Sequence, residues 1–383
     1  MKDALISCRN KMIHGSYLCV LKPFFFLQDP EKVHDYMTCV GSILGKYSLG
    51  RASARWLFAY KNESLSQNVL GIHFENPIGL SAGFDKNAEM TDILPSVGFG
   101  FAEVGSVTGE KCAGNPKPRL WRLPKSKSLV VWYGLKNDGC DAVSKKLSGK
   151  HFDIPIGASV AMTNCAENLV LENAIGDFAK AFRTMEPVSD YITVNISCPN
   201  AKGGQPFIDP QKLDQLFNVL DKIQTKKPVF IKLSPDLSHD EIDSMLDVVY
   251  KHRIDGIIST NLTRKRDNPI VVDEKVPAVG GMSGKAVSDL SDDTLAYISR
   301  KQKARTKDDN ESKKLILIAS GGVFTAYDAY KKIRFGASLV QMITGMIYEG
   351  PQVISEINRG LTELLKRDGF ADISQAIGVD VEG

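Results

Sequence analysis

Residues 315–323 read Leu-Ile-Leu-Ile-Ala-Ser-Gly-Gly-Val. The apolar run does not alternate, which is the pattern of a parallel strand buried on both faces. It stops at a hydroxyl followed by two glycines. Residues 339–345, Leu-Val-Gln-Met-Ile-Thr-Gly, repeat that order. Backbone N–H groups after the last two strands form the usual phosphate site of an eight-stranded parallel barrel. This pair of endings therefore favours an α/β architecture closed into a (β/α)8 TIM barrel over a doubly wound sheet.

Going back along the chain, six more short apolar runs precede these two, at residues 78–82, 101–106, 154–161, 191–196, 229–233 and 256–260. Amphipathic stretches separate most of them, including 168–185, 210–223, 238–251 and 291–302. Alternation of this kind signals βαβ units. Residues 66–383 are thus expected to form the barrel, and residues 1–65 an N-terminal helical extension of two or three amphipathic helices. Two long excursions interrupt the barrel, at 108–139 and at 262–290, the second expected to carry a small hairpin. The charge run 308–313 is expected to be a solvated loop tip.

Composition excludes several classes. The chain has 383 residues, 43% apolar and 24% charged, an ordinary globular balance. A net charge of +3 is too small to point to nucleic acid. The seven cysteines form no C-x-x-C pair, so neither a disulfide framework nor a metal site is expected. No run approaches the roughly 20 apolar residues that span a bilayer. Residues 16–28 are apolar but broken by Lys22-Pro23, and no small-residue cleavage site follows, so no signal peptide is expected.

Chemistry in such a barrel sits at the carboxyl ends of the strands. The first ends in Ser81-Ala82-Gly83-Phe84-Asp85-Lys86, whose small residues let a flat cofactor approach the backbone. The second carries Ser106. The fourth runs through Asn195 into Ile196-Ser197-Cys198-Pro199-Asn200, setting amides beside a thiol. Amides read the carbonyl and N–H edges of a planar ring. A thiol removes a proton if its pKa falls from about 8.5. Lys232 lies inside an apolar strand, where an ammonium needs an electron-rich partner. Thr260 and Asn261 end the sixth strand, and Ser283-Gly284, Gly322, Ile343 and Thr344 complete the rim. These residues describe a phosphate-bearing flat cofactor, flavin mononucleotide (FMN), under a polar site for a small planar acid.

The same residues resemble the dihydroorotate dehydrogenase family. The stretches that carry the resemblance are 76–86, 98–108, 114–124, 195–200, Ser283-Gly284-Lys285 and 336–341. It implies oxidation of (S)-dihydroorotate to orotate in pyrimidine synthesis, with FMN held by Ser81, Ala82, Gly83, Ser106, Ser159, Asn195, Lys232, Thr260, Gly284, Gly322, Ile343 and Thr344. Lys86, Asn195, Asn200 and Asn261 would bind substrate. Cys198 would take the proton from ring carbon 5 as hydride leaves carbon 6. The extension with Asp29-Pro30-Glu31-Lys32-Val33-His34 resembles the membrane-associated, quinone-reducing class, in which His34 and Arg122 would line the quinone path. That class carries Ser as its base, whereas Cys198 and residues 201–205 resemble the soluble classes. The extension, a whole domain, outweighs one residue.

These expectations place the protein peripherally on the cytoplasmic face of the inner membrane through its N-terminal helices, with a cytoplasmic location as the alternative. An extension covering only the barrel bottom is the rival reading of residues 1–65. Val131 and Ser159 stand where the family pattern has Asn, and Asn137 and Asn164 are the amides available to compensate. The alternative functions are an FMN oxidoreductase acting on another ring or using fumarate or NAD, and a non-catalytic flavin-binding relative.

Overall fold

Strands β1 (Ile78–Leu80), β2 (Phe101–Thr108), β3 (Ile156–Ala161), β4 (Tyr191–Asn195), β5 (Val229–Leu233), β6 (Gly256–Ser259), β7 (Ile316–Ser320) and β8 (Ala337–Met342) pair in chain order. Every pairing is parallel, and β8 returns to β1 to close the barrel. This is a computed structural model, and it describes residues 2–308 and 313–381. Most of the expected loop tip, residues 309–312, lies outside the described residues.

All eight expected strands are present, because a parallel strand covered by helices must be apolar along its whole length. The outer helices follow the amphipathic stretches, with ends set by local chemistry. Helix His239–Lys251 starts at a capping box, in which Ser238 and Glu241 satisfy each other's backbone N–H groups. Helix Leu171–Met185 begins three residues later than expected, and Ser288–Asp308 runs longer at both ends.

The amino-terminal mouth of the barrel is plugged by rings. Phe101, Tyr191 and Phe230 lie over Gly79, Gly157 and Gly256, where any added Cβ would come within 2.5 Å of a ring. A hairpin of Gln67–Val69 and Ile72–Phe74, absent from the sequence reading, covers this plug. It turns at Leu70 and Gly71, both at positive φ, as a two-residue hairpin requires.

The extension forms α1 (Lys2–Ser16), a π-helical turn (Tyr17–Leu21), α2 (Lys22–Phe26), α3 (Pro30–Lys46) and α4 (Ser48–Phe58). Asp29 caps α3 by accepting from the Lys32 N–H at 2.9 Å, and Pro30 takes the first helical position. Arg9 and Asn10 of α1 donate to Ser355 Oγ on the last long helix, at 3.0 and 3.1 Å. Glu31 forms a buried ion pair with Arg119 of the first excursion at 2.9 Å. Phe25 and Phe26 of α2 and Val33, His34 and Met37 of α3 share a cavity lining with Ala82, Asn195 and Lys232 at the carboxyl ends of the strands, which sets aside a cap at the barrel bottom.

The excursions differ from expectation in one respect. The hairpin lies in the first of them, as strands Leu120–Leu123 and Ser128–Val131, and Gly281–Gly284 of the second adds a third antiparallel strand. Before Gly281 the second excursion makes only the bridge Thr263↔Met282. Its prolines cannot donate to a ladder, and its pairing partner lies far away in sequence.

Candidate active site

The strand ends open into two joined cavities. The larger, about 300 Å³, runs from Asn195, Cys198 and Asn200 past Lys86 to Phe25, Phe26 and Met37 of the extension. The smaller, about 80 Å³, lies between β7 and β8. Ala82, Lys232, Asn261, Ile343 and Thr344 line both. Gly83, Ser106, His34 and Arg122 also line the larger cavity, while Ser81, Thr260, Gly284 and Gly322 line the smaller.

The smaller cavity fits a phosphate. Gly284 and Gly322 sit at φ of +83° and +75°, and a Cβ on either would come within 2.5 Å of another atom. Ser283 and Thr344 share a hydroxyl contact of 2.8 Å at its edge. Beside it, a Cβ on Gly83 would meet no protein atom within 4 Å, so the larger cavity reaches that backbone directly. A phosphate-bearing flat cofactor has both of the surfaces it needs.

Ser159 lies outside both cavities, fully buried on β3. Its hydroxyl lies 2.7 Å from Ser106 Oγ, which accepts from Asn195 Nδ2 at 2.8 Å. Ser106, which lines the larger cavity, is thus the neighbour that Ser159 touches. Asn137 and Asn164 do not replace Val131 either. The Asn137 amide is spent on Thr108, Leu135 and Gly139, and Asn164 on Asn115, Gly134 and Lys202. Val131 itself lines the cavity, and its carbonyl accepts from Asn200 Nδ2 at 2.9 Å.

The amides at the end of β4 hold one another. Asn195 Oδ1 accepts from Ser197 and from Asn261 Nδ2, and Asn261 also donates to Ser197 Oγ at 3.0 Å. Ser197 is therefore the knot of the network, a role its sequence position between Asn195 and Cys198 did not distinguish. Asn200 Oδ1 is buried with no partner among the described residues, an acceptor left for a ligand N–H. Cys198 does not meet the condition set for a base at rest. Burial pushes its thiol up to about 11, outweighing the Asn200 and Ala201 N–H groups and Arg264, which pull it down.

Lys86 is held by the extension. Its Nζ lies 2.9 Å from His34 Nε2 and 4.1 Å from the centre of the Tyr133 ring. Burial and the nearby Lys86 charge depress His34 to about 3, so it accepts this bond as a neutral ring. Burial likewise lowers Lys86 to about 8. The Tyr133 hydroxyl is buried and has no hydrogen-bond partner among the described residues. That residue was missed, since no sequence signal separates a lysine-covering aromatic from a core one. Arg122 stacks on Phe26 at 4.7 Å and donates to the Gln28 carbonyl at 2.7 Å.

Comparison with known proteins agrees with this geometry. The sequence profile of the dihydroorotate dehydrogenase family matches residues 64–365. The chain is 37% identical over 364 residues to a protein of Natronomonas pharaonis named dihydroorotate dehydrogenase (quinone), covering 94% of this chain and 99% of that one. A protein of the same name from Nocardia farcinica is 36% identical, with 94% and 95% covered. Among solved structures, DHODH from Eimeria tenella in complex with ferulenol superposes with a TM-score of 0.79 at 29% identity, over 93% of this chain and 96% of that chain.

Proposed function

Because the chain belongs to the dihydroorotate dehydrogenase family, we propose that it oxidises (S)-dihydroorotate to orotate with FMN and passes the electrons to a quinone. The observation that carries this reading is the single cavity that joins Cys198, Lys86 and Asn200 to the apolar lining of the extension. Ser81, Ala82, Gly83, Ser106, Asn195, Lys232, Thr260, Gly284, Gly322, Ile343 and Thr344 would hold FMN, with Ser159 steadying Ser106. Bound FMN supplies the acceptor for a hydride from substrate carbon 6. The Lys86 ammonium pairs with the substrate carboxylate, and Asn200 Oδ1 accepts from a ring N–H. Cys198 Sγ receives the proton from carbon 5. Asn195 and Asn261, locked together through Ser197, hold the floor of the site flat.

Phe25, Phe26, Val33 and Met37 give a quinone an apolar path, with His34 at its inner end and Arg122 at its side. No helix among the described residues is long and apolar enough to cross a membrane. Leu5, Met12, Val20, Phe24, Leu27, Leu49 and Trp56 of the extension are exposed. Aromatic and aliphatic residues beside Lys22 suit an interfacial helix, so the extension rests on the membrane surface.

Anaerobic stopped-flow tests both half-reactions. Dihydroorotate should bleach the yellow protein, and a short-chain quinone should restore the colour while fumarate and NAD do not. Failure to bleach would remove dihydroorotate as substrate. Restoration by fumarate or NAD at the quinone rate would remove the quinone.

A further inference from the structure

Beneath the cofactor cavities the barrel interior carries a buried acid that the reaction does not use. Glu103, on β2, is fully buried near the Tyr191 hydroxyl, and its Oε1 makes no hydrogen bond among the described residues. Its Oε2 accepts from Thr193 Oγ1 at 2.9 Å and from Gln341 Nε2 at 3.1 Å. The other end of the same amide, Gln341 Oε1, accepts from Ser81 Oγ at 3.2 Å, and Ser81 Oγ accepts from Lys232 Nζ at 3.1 Å. Three strands and the residue that follows β1 thus contribute to one directed chain, Lys232 to Ser81 to Gln341 to Glu103. Its far end, Lys232, lines both cavities.

Each member constrains the next. Gln341 can donate to a carboxylate at one end and accept a hydroxyl proton at the other in only one orientation. That orientation makes Ser81 a donor to Gln341, which leaves its lone pairs for Lys232. Burial disfavours the charge of Lys232, and Glu103 is the group that opposes this. Burial disfavours the Glu103 carboxylate in turn, and Lys232 opposes that effect, so each charge is held better beside the other than alone.

We propose that Glu103 is a positioning residue for the flavin: through Gln341 and Ser81 it aims Lys232 at the ring and keeps it charged, and so raises the midpoint potential of bound FMN. Hydride uptake adds one negative charge to the ring, and a fixed cation beside it favours that state. The inference rests on the reading that Lys232 faces the flavin.

The test is the midpoint potential of FMN in the full-length holoprotein, measured with reference dyes and without substrate. Glu103→Gln keeps the hydrogen-bond acceptor and loses the charge. It should bind equimolar FMN and shift the potential negative by about 30 mV, a tenfold change in a two-electron equilibrium. Glu103→Asp should recover part of that shift. Gln341→Met, which cuts the chain and spares the carboxylate, should shift the potential in the same direction and covers the case in which Glu103→Gln does not retain flavin. A wild-type or more positive potential in these variants overturns the proposal. Lys232→Met separates the two layers of the argument. A wild-type potential there means that Lys232 does not face the flavin. A shift there without one in the Glu103 and Gln341 variants means that only the chain fails.

Discussion

At the scale of single residues, the proposed role of Cys198 as the base makes it a group that sets the pH dependence of the reaction. A thiol raised to about 11 is present as thiolate in about one molecule per thousand at pH 8. The active form is the deprotonated one, so flavin reduction by dihydroorotate, followed by stopped-flow, should accelerate with pH until Lys86, lowered to about 8, loses the charge that pairs with the substrate. Cys198→Ser moves that rise to higher pH, because a hydroxyl is a weaker acid than a thiol. Cys198→Ala should keep FMN and lose about 10²–10⁴-fold in flavin reduction. An unchanged rate in the alanine variant would put the base elsewhere. Asn200→Leu should also keep FMN. It should weaken substrate binding by about 1–3 kcal/mol, the cost of leaving a substrate N–H unpaired, and equilibrium titration with orotate measures that loss. Wild-type orotate affinity would mean that the free Oδ1 of Asn200 is not the acceptor. Asn195, Cys198, Asn200 and Lys232 were legible in the sequence because polar residues at the end of an apolar strand have few structural uses. Ser197, Tyr133 and Glu103 were not. Their roles come from partners up to 238 positions apart, as in the Gln341–Glu103 contact, and strand periodicity carries no information about such pairs.

At the scale of elements, the extension is wired into the catalytic half rather than laid upon it. Glu31 is buried beside Arg119, with Lys117 and Lys136 at 3.4 and 3.5 Å. Hydrogen bonding and charge from Arg119 hold its carboxyl at about 2 against the opposing effect of burial. A carboxyl depressed in the folded state adds stability above its unfolded pKa of about 4.3, and that stability is lost as pH falls toward 2. The contribution is about 3 kcal/mol. Glu31→Gln should therefore be less stable by about that amount at pH 7 and nearly equal to wild type near pH 2, in denaturant melts followed by tryptophan fluorescence. A constant deficit across the range would mean that packing, not charge, holds the pair. The eight strands and their helices could be read from local pattern, since each buries its own apolar face. The three-stranded sheet of the excursions could not. Its strands come from residues 120–131 and 281–284, and only the closed barrel brings them side by side.

At the scale of the whole molecule, the arrangement has a direction. Substrate groups gather at the strand ends, the flavin-sized space lies beside them, and the apolar path leads outward between α2 and α3. Next in sequence to Phe25 and Phe26 of that path, Phe24 is 60% and Leu27 89% exposed. A quinone dissolved in lipid reaches the path without crossing water only if this surface meets the bilayer. Apolar side chains buried in the interface each contribute about 1.5–3 kcal/mol. Phe24→Glu with Leu27→Glu should thus lower binding to phosphatidylcholine vesicles containing anionic lipid by at least tenfold in flotation. Both side chains project from the surface, so flavin reduction by dihydroorotate should stay at the wild-type rate. Turnover with a long-chain quinone carried in those vesicles should fall in parallel with binding, while a water-soluble quinone analogue should be reduced as before. Unchanged flotation would show that the extension serves the cavity alone. Equal loss with both quinones would place the damage inside the path rather than at its mouth.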